Sequence, residues 1–142
     1  MPVRFAEAVW EGNLRDGNGT MRLGAGGFEG AYSFASRFEE GTGTNPEELL
    51  GAALAGCFSM ALSGDLGRAG YQAERVETKA RVSLERVNDK PTITKIHLET
   101  EATVPGINNE QFQQIAESVK QTCPVSVALS NVPTTLTARL LT

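Results

Sequence analysis

From Leu49 to Leu62 the chain carries no charged residue, and the signals on either side of this stretch are those of a helix. Asn45 is a natural N-cap, because its side chain can accept a bond from an unpaired N–H of the first turn. Pro46 then falls at the first helical position, where its missing N–H costs nothing. Glu48 follows the cap by three residues, as in a capping box. Glu47 and Glu48 place negative charge at the positive end of the helix dipole. Gly67 and Gly70 close the element. A helix apolar on every side is buried on every side. About 15 uncharged residues fall short of the roughly 18 to 20 that a bilayer requires, and Glu47, Glu48 and Asp65 flank the stretch. The segment therefore reads as the central core helix of a soluble protein. Gly51, Ala52, Ala53, Ala55 and Gly56 keep it thin enough for a second backbone to pack close.

The rest of the chain alternates between two periods. Residues 3–14 read as a strand, with a turn at Asp16-Gly17-Asn18-Gly19 and a partner strand over 20–24. Gly24, Gly26 and Gly27 mark a loop. Ala31 to Phe38 reads as a third strand, and Glu39 to Thr44 as a polar connection into the central helix. Val76, Thr78, Ala80, Val82 and Leu84 alternate with Glu77, Lys79, Arg81, Ser83 and Glu85, which predicts a half-buried strand. A turn over Val87–Pro91 leads to a second such strand, Thr92–Val104, with Ile96, Leu98, Ala102 and Val104 on one face. Asn108 or Asn109 caps a second helix. Its buried stripe is Phe112, Ile115, Ala116 and Val119, and Cys123 returns to the same face. Pro124 starts a short helix, and residues 133–141 form a closing strand. Strands and helices do not alternate as βαβ units, so the class is α+β, with largely antiparallel sheets around central buried helices. At 142 residues the chain is long enough for one domain, 1–142, with a real core. Full cover of the apolar helix calls for more than a few strands, and a second copy of the chain would supply it.

A net charge of −4 without a basic stripe argues against nucleic acid as a partner. The N-terminal MPVRFAEAVWEG has no apolar h-region, so a cytoplasmic protein with no membrane partner is expected. Two cysteines 66 positions apart fit neither a disulfide scaffold nor a zinc site. With one histidine in the chain, no metal and no cofactor are expected.

Four residues stand out chemically. Cys57 and Cys123 are the two cysteines, both expected to face the core from helices that can pack together. A buried free cysteine ordinarily behaves as a small inert hydrophobe. If these two meet, one thiol can attack a substrate and the other can resolve the product. Arg37 lies between Phe34 and Phe38, just before the loop into the central helix. It reads either as an exposed strand-end charge or as a guanidinium that lowers a thiol pKa. Glu47 or Glu48 could hold it by a bidentate pair, or could serve the helix dipole alone. Glu47 precedes Cys57 by ten residues, which is about 15 Å along a helix. It could therefore serve a partner's Cys57 across an antiparallel helix pair, but not its own. His97 shares the polar face of its strand with Lys95, Glu99 and Glu101. That placement weakens any Cys-His hydrolase, which needs an imidazole beside the thiol. Gly24-Ala25-Gly26-Gly27 precedes no helix and lacks the Lys-Ser/Thr pair of a phosphate loop.

Three ordered blocks carry a resemblance. They are Thr44-Asn45-Pro46-Glu47-Glu48-Leu49, Ala55-Gly56-Cys57-Phe58-Ser59-Met60-Ala61-Leu62, and Cys123-Pro124-Val125-Ser126. Trp10-Glu11-Gly12, Arg37-Phe38-Glu39 and Val104-Pro105-Gly106-Ile107 extend it over nearly the whole chain. The sequence resembles the osmotically inducible protein C and organic hydroperoxide resistance (OsmC/Ohr) family. Arg37 ahead of the Thr-Asn-Pro-Glu block is the pattern of the OsmC branch. Leu54 departs from it, since close relatives often have histidine there; the change bears on helix packing.

The resemblance implies an intertwined α+β homodimer with two interfacial sites. It implies a thiol peroxidase that reduces organic hydroperoxides to alcohols, with an external dithiol as reductant. Cys57 matches the attacking cysteine, which becomes a sulfenic acid, and Cys123 the resolving one, which closes an intrachain disulfide. Arg37 matches the activating arginine and Glu47 its orienting carboxylate. Leu54, Phe58, Met60 and Phe34 or Phe38 are expected to wall the site. Two other readings use the same residues. One is a redox sensor or binding protein without turnover; the other is a structural or ligand-binding dimer with inert cysteines.

Overall fold

The computed structural model describes residues 2–24 and 26–141, so Ala25 of the glycine loop lies outside the described residues. The chain forms two compact units, residues 1–49 and 50–142.

The first unit is a three-stranded antiparallel sheet followed by a short helix. Strands β1 (Ala6–Glu11), β2 (Asn18–Leu23) and β3 (Glu29–Tyr32) lie in chain order. The β1–β2 turn is held by Asn13, whose Oδ1 accepts from the Asp16 N–H at 2.7 Å. Trp10, Gly19 and Tyr32 are in register across the three strands. The Trp10 and Tyr32 rings approach to 5.3 Å between centroids over Gly19. A Cβ on Gly19 would meet both rings at 2.6–2.7 Å, so only glycine lets them close.

The expected third strand over 31–38 holds only for Ala31 and Tyr32. Beyond Tyr32 the chain turns into helix α1 (Phe34–Phe38), which carries Arg37. The cause is a reciprocal cap. The Ser36 N–H donates to Ser33 Oγ at 3.1 Å, and the Ser33 N–H donates to Ser36 Oγ at 2.8 Å. Ser36 Oγ also donates to the Thr44 carbonyl at 2.7 Å, and Asn45 Nδ2 donates to the Ser36 carbonyl at 3.0 Å. These bonds tie α1 to the start of the next helix.

That helix, α2 (Pro46–Arg68), is the apolar segment expected from the sequence. The Glu48 N–H donates to Asn45 Oδ1 at 2.8 Å, so Asn45 caps as expected. Glu48 returns its carboxylate to the Asn45 side-chain amide instead of the backbone. At the far end Gly70 has φ 95°. The Tyr71 N–H reaches the Leu66 carbonyl at 2.9 Å, and the Gly70 N–H reaches that of Gly67 at 3.0 Å. This is the glycine-dependent Schellman stop. At 23 residues α2 is long and apolar enough to cross a bilayer by length and composition. Its packing explains the apolarity on one side.

The second unit pairs β4 (Arg75–Val87) with β5 (Lys90–Thr103) in an antiparallel hairpin. Its two-residue turn has positive φ at Asn88 and Asp89, 51° and 63°, residues that tolerate this region. Helix α3 (Asn109–Thr122) and helix α4 (Pro124–Ala128) follow. Asn108 is the cap of α3, and its Oδ1 accepts from the Gln111 N–H at 2.8 Å. Strand β6 (Thr134–Leu141) then joins β5 in parallel. This pairing qualifies the largely antiparallel expectation. The two helices between β5 and β6 return the chain to the starting end of β5, so β6 runs the same way.

Leu54, Phe58, Leu62 and Leu66 form one row of α2 at four-residue spacing, each at most 1% exposed. They pack with Ile96, Leu98 and Ala102 of β5 and with Phe112, Ala116 and Val119 of α3. Ser59 Oγ donates to Thr78 Oγ1 at 2.7 Å, and Thr78 and Thr100 share a bond of 2.9 Å. This short polar chain pins α2 onto the sheet. The expectation that α2 is buried all round fails for the single chain: Met60 is 81% exposed.

Candidate active site

In the second unit, the break between α3 and α4 brings the two cysteines together. Cys123 closes α3, its N–H bonded to the Val119 carbonyl at 3.0 Å, and Pro124 opens α4. The inner stripe of α3 carries Cys123 into the core, where it is 1% exposed. Cys57, on α2, is half-buried and packs against that core. Both thiols are free, and Cys57 packs against the core that holds Cys123, close enough for Cys123 to act on its pKa. Burial pushes the Cys57 thiol above its ordinary value. The Val125 N–H pulls against that rise, while the neighbouring Cys123 adds to it. None of these influences is a cation. The Cys123 Sγ lies 3.1 Å from Ser126 Oγ.

In the first unit, Arg37 and Glu47 form a two-bond pair. Arg37 Nε donates to Glu47 Oε1 and Nη2 to Oε2, both at 3.2 Å. The Glu47 side chain is 8% exposed and that of Arg37 38%. A carboxylate so buried is held by its partner's fork, which fixes the guanidinium plane. The guanidinium also lies over the Phe38 ring, 5.1 Å from its centroid. The Phe34 and Phe38 rings lie 5.1 Å apart between centroids, tilted by 49°. Together with Trp10, Leu14, Tyr32 and Arg37 they line a cavity of about 220 Å³. Arg37 is the charged residue among those lining it, and the Arg15 guanidinium lies over the Phe34 ring, 4.7 Å from its centroid.

Some expected wall residues are placed otherwise. Leu54 and Phe58 point into the core of the second unit, and Met60 points outward. Phe34 and Phe38 do line a cavity, beside Arg37. Trp10, Leu14 and Tyr32 had no assigned role in the sequence; the aromatic ladder across Gly19 is the signal that could have marked two of them. Ser126 was visible only as part of the Cys-Pro-Val-Ser block. His97 sits on the polar strand face as expected, between Thr135 Oγ1 at 2.6 Å and Thr137 Oγ1 at 3.2 Å.

The family model described as OsmC-like protein matches residues 39–137. Peroxiredoxin OsmC of Escherichia coli K12 is 48% identical over 124 residues, 87% of each chain. An organic hydroperoxide resistance protein of Xanthomonas axonopodis pv. citri is 31% identical over 101 residues, 68% of each chain. The crystal structure of an organic hydroperoxide resistance protein OsmC from Legionella pneumophila superposes with a TM-score of 0.71 at 23% identity, covering 98% of this chain and 99% of that one. On the family match, the identity and the shared fold, the chain belongs to the OsmC/Ohr family of OsmC-like proteins.

Proposed function

We propose that this chain is a cysteine-based peroxidase that reduces organic hydroperoxides to alcohols. The observation that carries the reading is the proximity of two free thiols in one core, one half-buried and one fully buried. Such a pair can form a disulfide after a single oxidation. The names of the relatives, peroxiredoxin and organic hydroperoxide resistance protein, support peroxide as the oxidant.

The attacking group is Cys57, because it is the more accessible of the two. Its surroundings in the second unit raise its pKa, which is the wrong direction for a thiolate. A cation has to correct this, and the carboxylate-held Arg37 is suited to do so. Glu47 and Cys57 are ten residues apart in α2, about 15 Å along its axis. The Arg37–Glu47 pair that serves a given Cys57 therefore comes from a second copy. The exposed apolar Met60, Phe5, Val9 and Leu14 are suited to an interface between two copies. In this reading 1–142 is one functional domain, and each site of a homodimer takes residues from both chains.

The Cys57 thiolate attacks the terminal oxygen of ROOH. The O–O bond breaks, Cys57 becomes a sulfenic acid and RO⁻ leaves to be protonated to ROH. Arg37 stabilises the thiolate and the charge growing on the departing oxygen. The cavity beside Arg37 holds the organic group. Each apolar contact there is worth about 1 to 3 kcal/mol of preference over hydrogen peroxide. Cys123 then displaces the sulfenic oxygen as water and forms the disulfide, which an external dithiol reduces.

The test is the intact mass of the reduced protein after one equivalent of cumene hydroperoxide. A loss of two hydrogens per chain, absent in Cys57→Ser and in Cys123→Ser, is the expected result, followed by turnover with dithiothreitol. An unchanged mass would sink the proposal. Oxidation without turnover would favour a sensor instead.

A further inference from the structure

The resolving step makes a demand on Cys123 that its burial opposes. Its thiol must lose a proton as the sulfur attacks, and at 1% exposure no bulk water reaches it. The group that does reach it is the Ser126 hydroxyl, 3.1 Å from Sγ and able to act as donor or acceptor. The placement is local: Pro124 starts α4 directly after Cys123, and one turn later Ser126 comes back over the sulfur. Ser126 is half-buried. Its other side lines a cleft of about 330 Å³, shared with Lys120, Ser130 and Thr134. That cleft is polar and large enough for several waters. Ser126 is thus a hydroxyl with the buried sulfur on one side and solvent on the other.

We propose that Ser126 is the proton relay of the resolving step, connecting the Cys123 thiol to water in the cleft lined by Lys120, Ser130 and Thr134. The inference rests on the peroxidase reading above. As Cys123 Sγ bonds to Cys57 Sγ, the S–O bond of the sulfenic acid breaks. The Cys123 proton moves to Ser126 Oγ, and the Ser126 proton moves to a cleft water. The leaving hydroxide takes one proton and departs as water. The Cys57 sulfur is reduced and the Cys123 sulfur oxidised by the same bond, so no further oxidant or reductant enters. In the reverse direction a dithiol attacks the more accessible Cys57 sulfur, and Ser126 donates to the departing Cys123 thiolate.

The experiment is rapid-quench intact mass from pH 6 to 9, with the full-length protein and one equivalent of cumene hydroperoxide. Sulfenic acid is trapped with dimedone and the disulfide is counted separately. Ser126→Ala and Ser126→Gly are expected to form the sulfenic acid at the wild-type rate. Both should convert it to disulfide about 100-fold more slowly at pH 6, the lower range of general acid–base effects. The gap should narrow as pH rises, because hydroxide then removes the thiol proton directly. Ser126→Thr should restore rate and profile. Disulfide formation at the wild-type rate in both variants overturns the relay. So does a slowing that is the same at every pH, or loss of folding in both, which would assign Ser126 to structure. If the wild-type chain itself forms neither sulfenic acid nor disulfide, the peroxidase reading has failed, a result distinct from failure of the relay alone.

Discussion

Arg37 meets Glu47 edge to edge, Nε on Oε1 and Nη2 on Oε2, with both bonds at 3.2 Å. Such a pair fixes the guanidinium in direction as well as position. Lysine cannot reproduce the fork. Arg37→Lys is expected to lower kcat/KM for cumene hydroperoxide by about 100-fold, the scale of one lost electrostatic donor. Glu47→Gln keeps the volume and loses the charge, and should cost about 10-fold through a misdirected arginine. Equal activity in wild type and both variants would remove the pair from the mechanism.

The pH dependence of Cys57 should separate its own surroundings from the arginine. Burial and Cys123 raise its pKa, and the Val125 N–H alone opposes them. A raised thiol pKa means less thiolate at neutral pH, so reactivity is lost on the acidic side of a higher midpoint. In Arg37→Met the midpoint of iodoacetamide alkylation is expected above the ordinary 9.0. In wild type it should lie below that value. Coincident midpoints would show that Arg37 does not act on Cys57.

Cys123→Ser leaves the sulfenic acid with no thiol to resolve it. One turnover should be followed by overoxidation of Cys57 to the sulfinic and sulfonic acids as peroxide is added. Mass spectrometry of the Cys57 peptide reads this directly. Continued turnover with dithiothreitol would show that an outside thiol resolves Cys57 as well as Cys123 does.

Phe112 is 0% exposed and packs within the core of the second unit. Phe112→Ala is expected to destabilise the fold by about 3 to 5 kcal/mol, from lost burial plus a cavity. Urea unfolding measures it. A loss below about 1 kcal/mol would mean that the core around α3 collapses to fill the space.

Much of the second unit was legible because its signals are local and periodic. The alternation of β4 and β5, the stripe of α3 and the cap at Asn108 each depend on residues within a few positions of one another, as does the cap at Asn45 in the first unit. The glycine stop at Gly70 is legible for the same reason. Helix α1 was also written locally, in Ser33-Phe34-Ala35-Ser36, but the aromatic run from Tyr32 to Phe38 read as strand and hid a serine capping box. Other features had no local signal. A helix apolar on every side does not say which row faces the sheet. Packing against β5 and α3 selected Leu54, Phe58, Leu62 and Leu66, and left Met60 outside. The parallel pairing of β6 follows from the return path through α3 and α4, not from the composition of the strand. The meeting of Cys57 with Cys123, 66 residues apart, depends on how α2 and α3 pack. The sequence by itself determined the elements and the residue types able to do thiol chemistry, because these depend on neighbours in the chain. Only the tertiary structure decided which side chains touch, because contact between distant residues is a property of packing.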